Sequence, residues 1–278
     1  MPGRLPEFCH YTVEGQPDGP TLVFIHGWPD DASVWRHQLT ALGQDYRCVI
    51  VTLPNFGETH DIAGGCDFPA LLAMLARSLD QALRPGEQAT LITHDWGSYI
   101  AYLFEQAHPE RVARMVALDV GGHAEPDKWW QAAFLAGYQW TLIVLWWIGG
   151  LIPPLGNGLT RLFARALKVP PERRPAIRSR FNYPYFYLWR GLLFKRWRGQ
   201  ILQRYRPSCP VLYMWGAAKP FHFHSERWLE MVEASGGRYK GIEGAWHWLQ
   251  LSHADEVNAE IKAFLPEPQA APRDDLLA

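Results

Sequence analysis

The chain has 278 residues, of which 48% are hydrophobic and 20% charged, and its formal net charge at pH 7 is −1. This length fits one large α/β domain with a core of ordinary size. With almost no net charge and no long basic block, the chain gives little support for electrostatic binding to nucleic acid or to an anionic membrane.

Short apolar runs alternate with helix-length segments through the first half of the chain. In chain order these segments are Thr21–Ile25, Arg47–Leu53, Phe68–Leu83, Thr90–Thr93, Tyr99–Gln106 and Val112–Asp119. Such an alternation predicts a mostly parallel sheet that is covered by helices. We therefore predict an α/β core whose first part covers residues 1–124.

Between residues 125 and 206 the alternation pauses, and tryptophan, tyrosine and arginine become dense. We interpret this block as a helical cap inserted into the core. The strand-like run Val211–Trp215 resumes the pattern, so the second part of the core is predicted at 207–265. Residues 266–278, with three prolines and mixed charges, are expected to form a flexible tail.

One stretch of the cap, Ala132–Leu155, contains no charged residue and is long enough to span a bilayer. Its glycines and the Pro153-Pro154 pair interrupt the run, and a membrane span between two strands of one sheet is topologically awkward. We therefore predict a cap helix that lines an apolar pocket and not a membrane span. Peripheral contact of this apolar segment with a membrane stays open.

The four cysteines, Cys9, Cys48, Cys66 and Cys209, show neither C-x-x-C pairing nor zinc spacing. We expect reduced, mostly buried thiols. Residues 1–10 contain no apolar stretch of the kind that a secretory signal needs, so the expected location is the cytoplasm. The histidines are scattered without a metal-binding spacing, and the sequence implies no metal and no other cofactor.

The segment Thr93–Ser98 reads Thr-His-Asp-Trp-Gly-Ser and lies between an apolar run and a helix-like stretch. This pattern predicts a strand, a sharp turn and a helix, with the carboxylate of Asp95 at the apex. The strained turn requires small residues two positions before and after the apex, where the chain has Thr93 and Gly97. Attack by such a carboxylate on a saturated carbon gives an ester that activated water can hydrolyse.

This chemistry also needs a base and donors for an oxyanion. His247 precedes the predicted last helix, Asp255–Leu265, and is the candidate general base. The strand Thr21–Ile25 ends in His-Gly-Trp-Pro. Backbone N–H groups of Trp28 and Trp96 are predicted to form the oxyanion hole.

On these residues the chain resembles the α/β-hydrolase superfamily and, within it, the branch of epoxide hydrolases and haloalkane dehalogenases. The resemblance runs from about Thr21 to Leu265 and is carried by four motifs: His26–Pro29, Pro54–Gly57, the His-Asp-Trp-Gly elbow and the His247 loop. It implies an α/β-hydrolase fold with an inserted cap and a nucleophilic aspartate.

The chain departs from this family at the usual position of the triad acid, three residues after Gly216, where it has Lys219. Dehalogenase-like relatives carry the acid at the end of the strand after the elbow helix, which is Asp119 here. The order Asp95, Asp119, His247 then fits nucleophile, acid and base. Asp119 could instead cap a turn, and Glu243 is the reserve candidate for the acid.

Epoxide hydrolases of this family use two cap tyrosines to donate to the opening epoxide oxygen. The resemblance implies Tyr138 in the first cap helix and one tyrosine of Asn182–Arg190, with Tyr187 as first choice and Tyr183 as second. These tyrosines could also merely pack the cap. The residues expected to line the substrate pocket are His26, Trp28, Trp96, Trp140, Tyr185, Trp246 and Trp248.

The favoured function is therefore hydrolysis of a small-to-medium apolar epoxide to a vicinal diol. Haloalkane dehalogenation is the alternative, favoured by Asp119 but weakened by Trp28, because dehalogenases often have asparagine or glutamate at that position. A third reading is a non-catalytic scaffold that binds a hydrophobic ligand, which only Lys219 favours. Homodimerisation stays open.

Overall fold

The computed structural model describes residues 5–57, 59, 62–124, 128–194, 202 and 205–266. Within these residues one sheet has seven strands in the order β1-β3-β2-β4-β5-β6-β7. The strands are β1 (His10–Gly15), β2 (Thr21–Ile25), β3 (Arg47–Thr52), β4 (Ala89–His94), β5 (Val112–Leu118), β6 (Val211–Gly216) and β7 (Arg238–Ile242). Only β1 runs antiparallel to its neighbour, β3, within the described sheet.

The predicted parallel sheet is confirmed, and its central strands are buried along their whole length. All residues of β2 and β4 are buried, as is typical of a parallel sheet that helices cover on both faces. Sequence analysis missed the two edge strands, β1 and β7. Their residues are mostly exposed and mostly polar, so they lack the apolar run that identifies an inner strand.

Nine α-helices lie in the described residues. They are α1 (Arg36–Leu42), α2 (Phe68–Ala82), α3 (Trp96–Ala107), α4 (Trp129–Leu151), α5 (Pro153–Ala166), α6 (Tyr183–Leu193), α7 (Glu226–Ala234), α8 (Leu249–Ser252) and α9 (Ala254–Phe264). Asp67 caps the N-terminus of α2. Its side chain accepts a hydrogen bond from the Ala70 amide, which satisfies one free N–H of the first turn. Helix α3 begins three residues earlier than predicted, directly at the turn.

Helices α4, α5 and α6 follow β5 and precede β6, in the segment for which a cap is predicted. Helices α4 and α5 cross where Gly149 meets Gly156: a Cβ on Gly156 would lie 2.2 Å from the Gly149 Cα, so a side chain there is excluded. Residues 125–127, 195–201 and 203–204 of the predicted cap and residues 267–278 of the predicted tail lie outside the described residues.

All four cysteines are buried and form no disulfide within the described chain. Burial raises the pKa of each thiol to about 12. The prediction of reduced, buried thiols is confirmed.

Candidate active site

Asp95 lies between β4 and α3 and has φ 56° and ψ −121°, a conformation that costs energy for a residue with a side chain. The turn is possible because its neighbours are small. A Cβ on Gly97 would lie 2.1 Å from the Ile25 carbonyl oxygen, and a Cβ on Gly27 would lie 2.4 Å from Asp95 Oδ1. The strained turn therefore holds the Asp95 carboxylate against the end of β2.

The end of β2 also supplies the first predicted oxyanion donor. The Trp28 backbone N–H donates to Asp95 Oδ1 over 2.6 Å. The Trp96 nitrogen, at the start of α3, lies 2.5 Å from the position that a Gly27 Cβ would occupy. The Trp28 amide thus holds Oδ1 and the Trp96 amide lies nearby, where the positive end of the α3 dipole also favours negative charge.

His247 lies between two carboxylates. Its Nε2 is 3.5 Å from Asp95 Oδ2, and its Nδ1 bonds Asp119 Oδ2. The structure therefore brings together the predicted nucleophile, base and acid. Glu243, the reserve candidate for the acid, is exposed on the turn before this loop.

Asp119 is fully buried directly after β5, with φ 70°. The Gly216 N–H donates to its Oδ1 over 3.1 Å. Lys219 Nζ lies 2.6 and 2.5 Å from the two carboxylate oxygens. Lys219 therefore does not displace the acid; its ammonium and the His247 ring share the Asp119 carboxylate.

These contacts set the protonation states of the site. Burial would raise the pKa of Asp119, but Lys219 and His247 outweigh it and hold that pKa well below its usual range. Burial would lower the pKa of His247, but Asp119 and then Asp95 raise it to about 9. Burial lowers the pKa of Lys219, which Asp119 only partly restores.

His94, the residue before Asp95, is fully buried. Burial and then the charge of His247 lower the pKa of His94 to about 4, so its ring is neutral at pH 7. Its Nε2 donates to the His247 carbonyl oxygen over 2.9 Å. This hydrogen bond ties the His247 loop to the turn that carries the nucleophile.

Two cavities open beside Asp95, one of about 190 Å³ and one of about 420 Å³. Asp95, Tyr138, Tyr185 and Phe223 line both of them. The smaller cavity also contacts His247 and Lys219, and the larger contacts Trp96. A small substrate in either cavity would therefore contact the carboxylate and the two tyrosines.

Residues 22–260 match a family model described as alpha/beta hydrolase family. The chain belongs to the alpha/beta hydrolase family. It is 23% identical to epoxide hydrolase 1 of Caenorhabditis elegans over 279 residues, which cover 94% of this chain and 68% of that protein. The prediction of an epoxide hydrolase-like enzyme of this family is confirmed.

Solved structures of two kinds share this hydrolase's fold. Epoxide hydrolase A from Mycobacterium thermoresistibile has a TM-score of 0.67 and 22% identity, covering 94% of this chain and 95% of that one. A haloalkane dehalogenase loop variant, DbeA-M1 from Bradyrhizobium elkanii, has a TM-score of 0.66 and 17% identity, covering 91% of each chain. At these identities the likeness concerns the fold, and the reaction must be argued from the site.

The structure does not bring Tyr183 or Tyr187 to either cavity of the hydrolase. The Tyr183 hydroxyl is buried beside the Cys66 thiol, and the Tyr187 hydroxyl donates to the Gly64 carbonyl oxygen over 3.0 Å. Both lie on sides of α6 that face the core and its loops. The second tyrosine at the nucleophile is Tyr185, which sequence analysis placed only among the pocket residues.

Five of the seven predicted pocket residues line the two cavities, namely Trp28, Trp96, Tyr185, Trp246 and Trp248. His26 does not: its ring is fully buried, with Nδ1 bonded to the Gly27 carbonyl oxygen and Nε2 accepting from the Leu53 N–H. Trp140 does not either, because it packs on Trp189 at the outer surface of α4. Both have structural positions outside the cavities.

Sequence analysis missed two networks of buried, hydrogen-bonded polar side chains. The buried Asn182 accepts from the Trp28 indole over 2.8 Å and donates to the Leu142 carbonyl oxygen, so it joins the cap to the oxyanion residue. Asp30 accepts from Arg173 of the cap and from the Trp248 indole, each over 2.8 Å. Neither network has a spacing in the sequence that would reveal it, because the partners are far apart along the chain.

Proposed function

We propose that this hydrolase opens an apolar epoxide through an ester on Asp95 and releases a vicinal diol. The observation that carries the proposal is the placement of the Asp95 carboxylate. Its Oδ1 is held by the Trp28 N–H, and its Oδ2 faces His247 and the cavities that Tyr138 and Tyr185 line.

In the first step, Asp95 Oδ2 attacks an epoxide carbon, and the bond from that carbon to the ring oxygen breaks. Tyr138 and Tyr185 donate to the leaving oxygen, which becomes a hydroxyl. Burial raises the pKa of both phenols, with the negative charge of Asp95 adding to the rise. A raised pKa keeps the phenols protonated and brings them closer in basicity to the alkoxide.

Ester formation removes the negative charge of Asp95, and this charge is one of the causes that raise the pKa of His247. The pKa of His247 then falls, and the proton that it releases balances the one taken up by the opened oxygen. The first step thereby converts a protonated histidine into the free base that the second step needs.

In the second step, neutral His247 takes a proton from a water that attacks the ester carbonyl carbon of Asp95. The negative charge that develops on Oδ1 meets the N–H groups of Trp28 and Trp96. Collapse of this intermediate breaks the ester bond, and the departing diol oxygen takes the proton from His247. The carboxylic acid left on Asp95 then passes its proton to His247, which restores the starting state. Asp119 stabilises the imidazolium throughout, because its buried carboxylate bonds Nδ1.

The placement of two indole N–H groups disfavours a dehalogenase. A leaving halide needs free N–H donors, but the Trp28 indole donates to Asn182 and the Trp96 indole interacts with the Tyr185 hydroxyl. The non-catalytic alternative rested on Lys219 at the usual acid position. Since Asp119 contacts His247 while Lys219 pairs with Asp119, that reason for doubting an enzyme disappears.

The test is to trap the ester. His247→Gln should accumulate it, so intact mass after incubation with aryl and aliphatic epoxides should rise by the full mass of the epoxide. Asp95→Ala in the same background should show no adduct. An adduct of alkyl mass from a haloalkane would identify a dehalogenase instead, and a folded protein that forms no adduct with either class would refute the ester mechanism.

A further inference from the structure

The outer side of α4 is apolar along its whole length, and α6 covers it only in part, where Trp140 packs on Trp189 and Trp147 on Phe186. Its exposed positions are Ala133, Gly137, Trp140, Val144, Trp147 and Leu151, spaced alternately by four and three residues. This spacing places them on one side of a helix. We call these six residues the α4 stripe. Trp147 is 50% and Leu151 85% exposed, which is unusual for residues of this size in a protein surrounded only by water.

Exposed apolar residues continue from the α4 stripe onto α5. Ile152 and Leu155 follow directly, and Leu162 lies two turns further along the same side of α5. The Gly149–Gly156 crossing holds the two helices together, so these residues form one surface.

The part of the chain that carries this surface is rich in positive charge. Residues 128–194 contain nine lysines and arginines and a single acidic residue, Glu172, whereas the rest of the chain has 18 basic and 27 acidic residues. Arg165 is exposed one turn beyond Leu162, and Arg178 lines a groove together with Trp147 and Leu151. The near-zero net charge of the chain is therefore the sum of a basic segment, residues 128–194, and an acidic remainder.

We infer that the α4 stripe and its basic surroundings dock on the surface of an anionic lipid bilayer. Tryptophan side chains are favoured at the boundary between headgroups and acyl chains, and exposed leucines add apolar area that enters it. Nearby arginines are attracted by anionic headgroups. An isologous contact with a second copy would instead bring two basic surfaces together, which their charges oppose.

The helix lies on the bilayer and does not cross it. By length and composition α4 is the one helix of the described residues that could span a membrane. However, its inner side, with Leu142, Ile143 and Leu145, is buried in the cap. Because β5 and β6 are neighbouring parallel strands, both ends of the segment that contains α4 are also held by the same sheet.

Sedimentation of the full chain with vesicles tests this inference. The vesicles are phosphatidylcholine alone and a two-to-one mixture of phosphatidylcholine and phosphatidylglycerol. We expect binding to the mixed vesicles that is weakened by salt, and at least tenfold weaker binding to phosphatidylcholine. Equal binding to both compositions, or no binding to either, would overturn the inference.

Matched variants distinguish binding through the α4 stripe from nonspecific binding to vesicles. Val144→Ser with Trp147→Ser should weaken binding to the mixed vesicles at least tenfold, because both side chains lose apolar area. Val13→Ser with Tyr239→Ser removes similarly exposed residues from the opposite sheet edges and should leave binding unchanged; Val144 is 44% and Val13 45% exposed. Arg165→Gln with Arg178→Gln should weaken binding about fivefold for each arginine.

Hydrogen exchange of the unaltered chain gives a second measurement that no folding defect can affect. Mixed vesicles should slow exchange in residues 140–155 and leave β1 unchanged. If sedimentation without lipid shows a dimer that the stripe variant abolishes, the occupant of this surface is a second copy, and the membrane inference is refuted.

Discussion

The core and the cap place residues around the same carboxylate by different means. In the core, the proposed catalytic groups follow the carboxyl ends of parallel strands, so neighbouring strands bring Trp28, Asp95 and Asp119 together. In the cap, Tyr138 and Tyr185 come from two helices whose relative rotation depends on side-chain packing. Strand register is specified by backbone hydrogen bonds, whereas helix rotation is specified only by the whole apolar surface.

The largest expected effect lies in the core. Asp95→Ala removes the nucleophile, and epoxide hydrolysis should fall at least about 10,000-fold. Initial rates of diol formation measure the loss. Asp67→Ala, which removes a carboxylate from a helix N-terminus away from the cavities, should keep full activity. Substantial residual turnover by Asp95→Ala would mean that water attacks the epoxide directly.

The next largest loss of activity is expected for tyrosine variants of the cap, and it should differ sharply from one tyrosine to another. Tyr138→Phe and Tyr185→Phe each remove one donor to the opening oxygen and should slow ester formation about a hundredfold to a thousandfold. Rapid-mixing measurements in the His247→Gln background isolate this step. Tyr187→Phe, which loses only the hydrogen bond to Gly64, is the matched control and should react at the parent rate.

A different order of ester-formation rates among Tyr138→Phe, Tyr185→Phe and Tyr187→Phe would contradict the proposed arrangement of the cap. If Tyr187→Phe were as slow as Tyr185→Phe, the rotation of α6 in the reacting enzyme would differ from the one described.

The same contrast explains what could be predicted from the sequence. The positions of Asp95, His247 and the two predicted oxyanion amides follow from local motifs, because a strained turn needs small neighbours. Asp119 was chosen on the resemblance to dehalogenase-like relatives. Tyr185 could not be separated from Tyr183 and Tyr187 because the three occupy alternate positions of one short helix. Edge strand β7 was missed since it has no continuous apolar run and only its last residue is buried. Asn182 was missed because its partner Trp28 lies 154 residues away.

The dependence of stability on pH tests whether His247 is protonated in the folded core. The pKa of His247 is raised from 6.5 to about 9, so between these values the folded state keeps a proton that the unfolded chain releases. The free energy of unfolding should therefore fall by roughly 3 kcal/mol as pH rises through this window. Urea unfolding at several pH values measures the slope.

His247→Gln should remove most of that slope. The histidines whose pKa is lowered, His26, His94, His222 and His224, act below pH 6.5 and leave this window unaffected. The cysteine thiols, whose pKa is raised from 9.0 to about 12, affect stability only from the upper end of this pH window onward, and they do so equally in both proteins. The difference between the two proteins therefore isolates His247, and parallel slopes would show that the ring is neutral when folded.

Lys219→Met should produce the smallest effect and tests whether the lysine is structural. It leaves the buried Asp119 carboxylate with His247 and the Gly216 N–H, so the loss of stability should be about 2 kcal/mol, less than for an unpaired buried charge. Lys240→Met breaks exposed pairs with Glu256 and Glu260 and should change stability little. Because Asp119 still orients His247, the Lys219 variant should keep a functional triad. If it instead lost activity as completely as Asp95→Ala while remaining folded, the ammonium would have to act on the substrate, whose cavity Lys219 also lines.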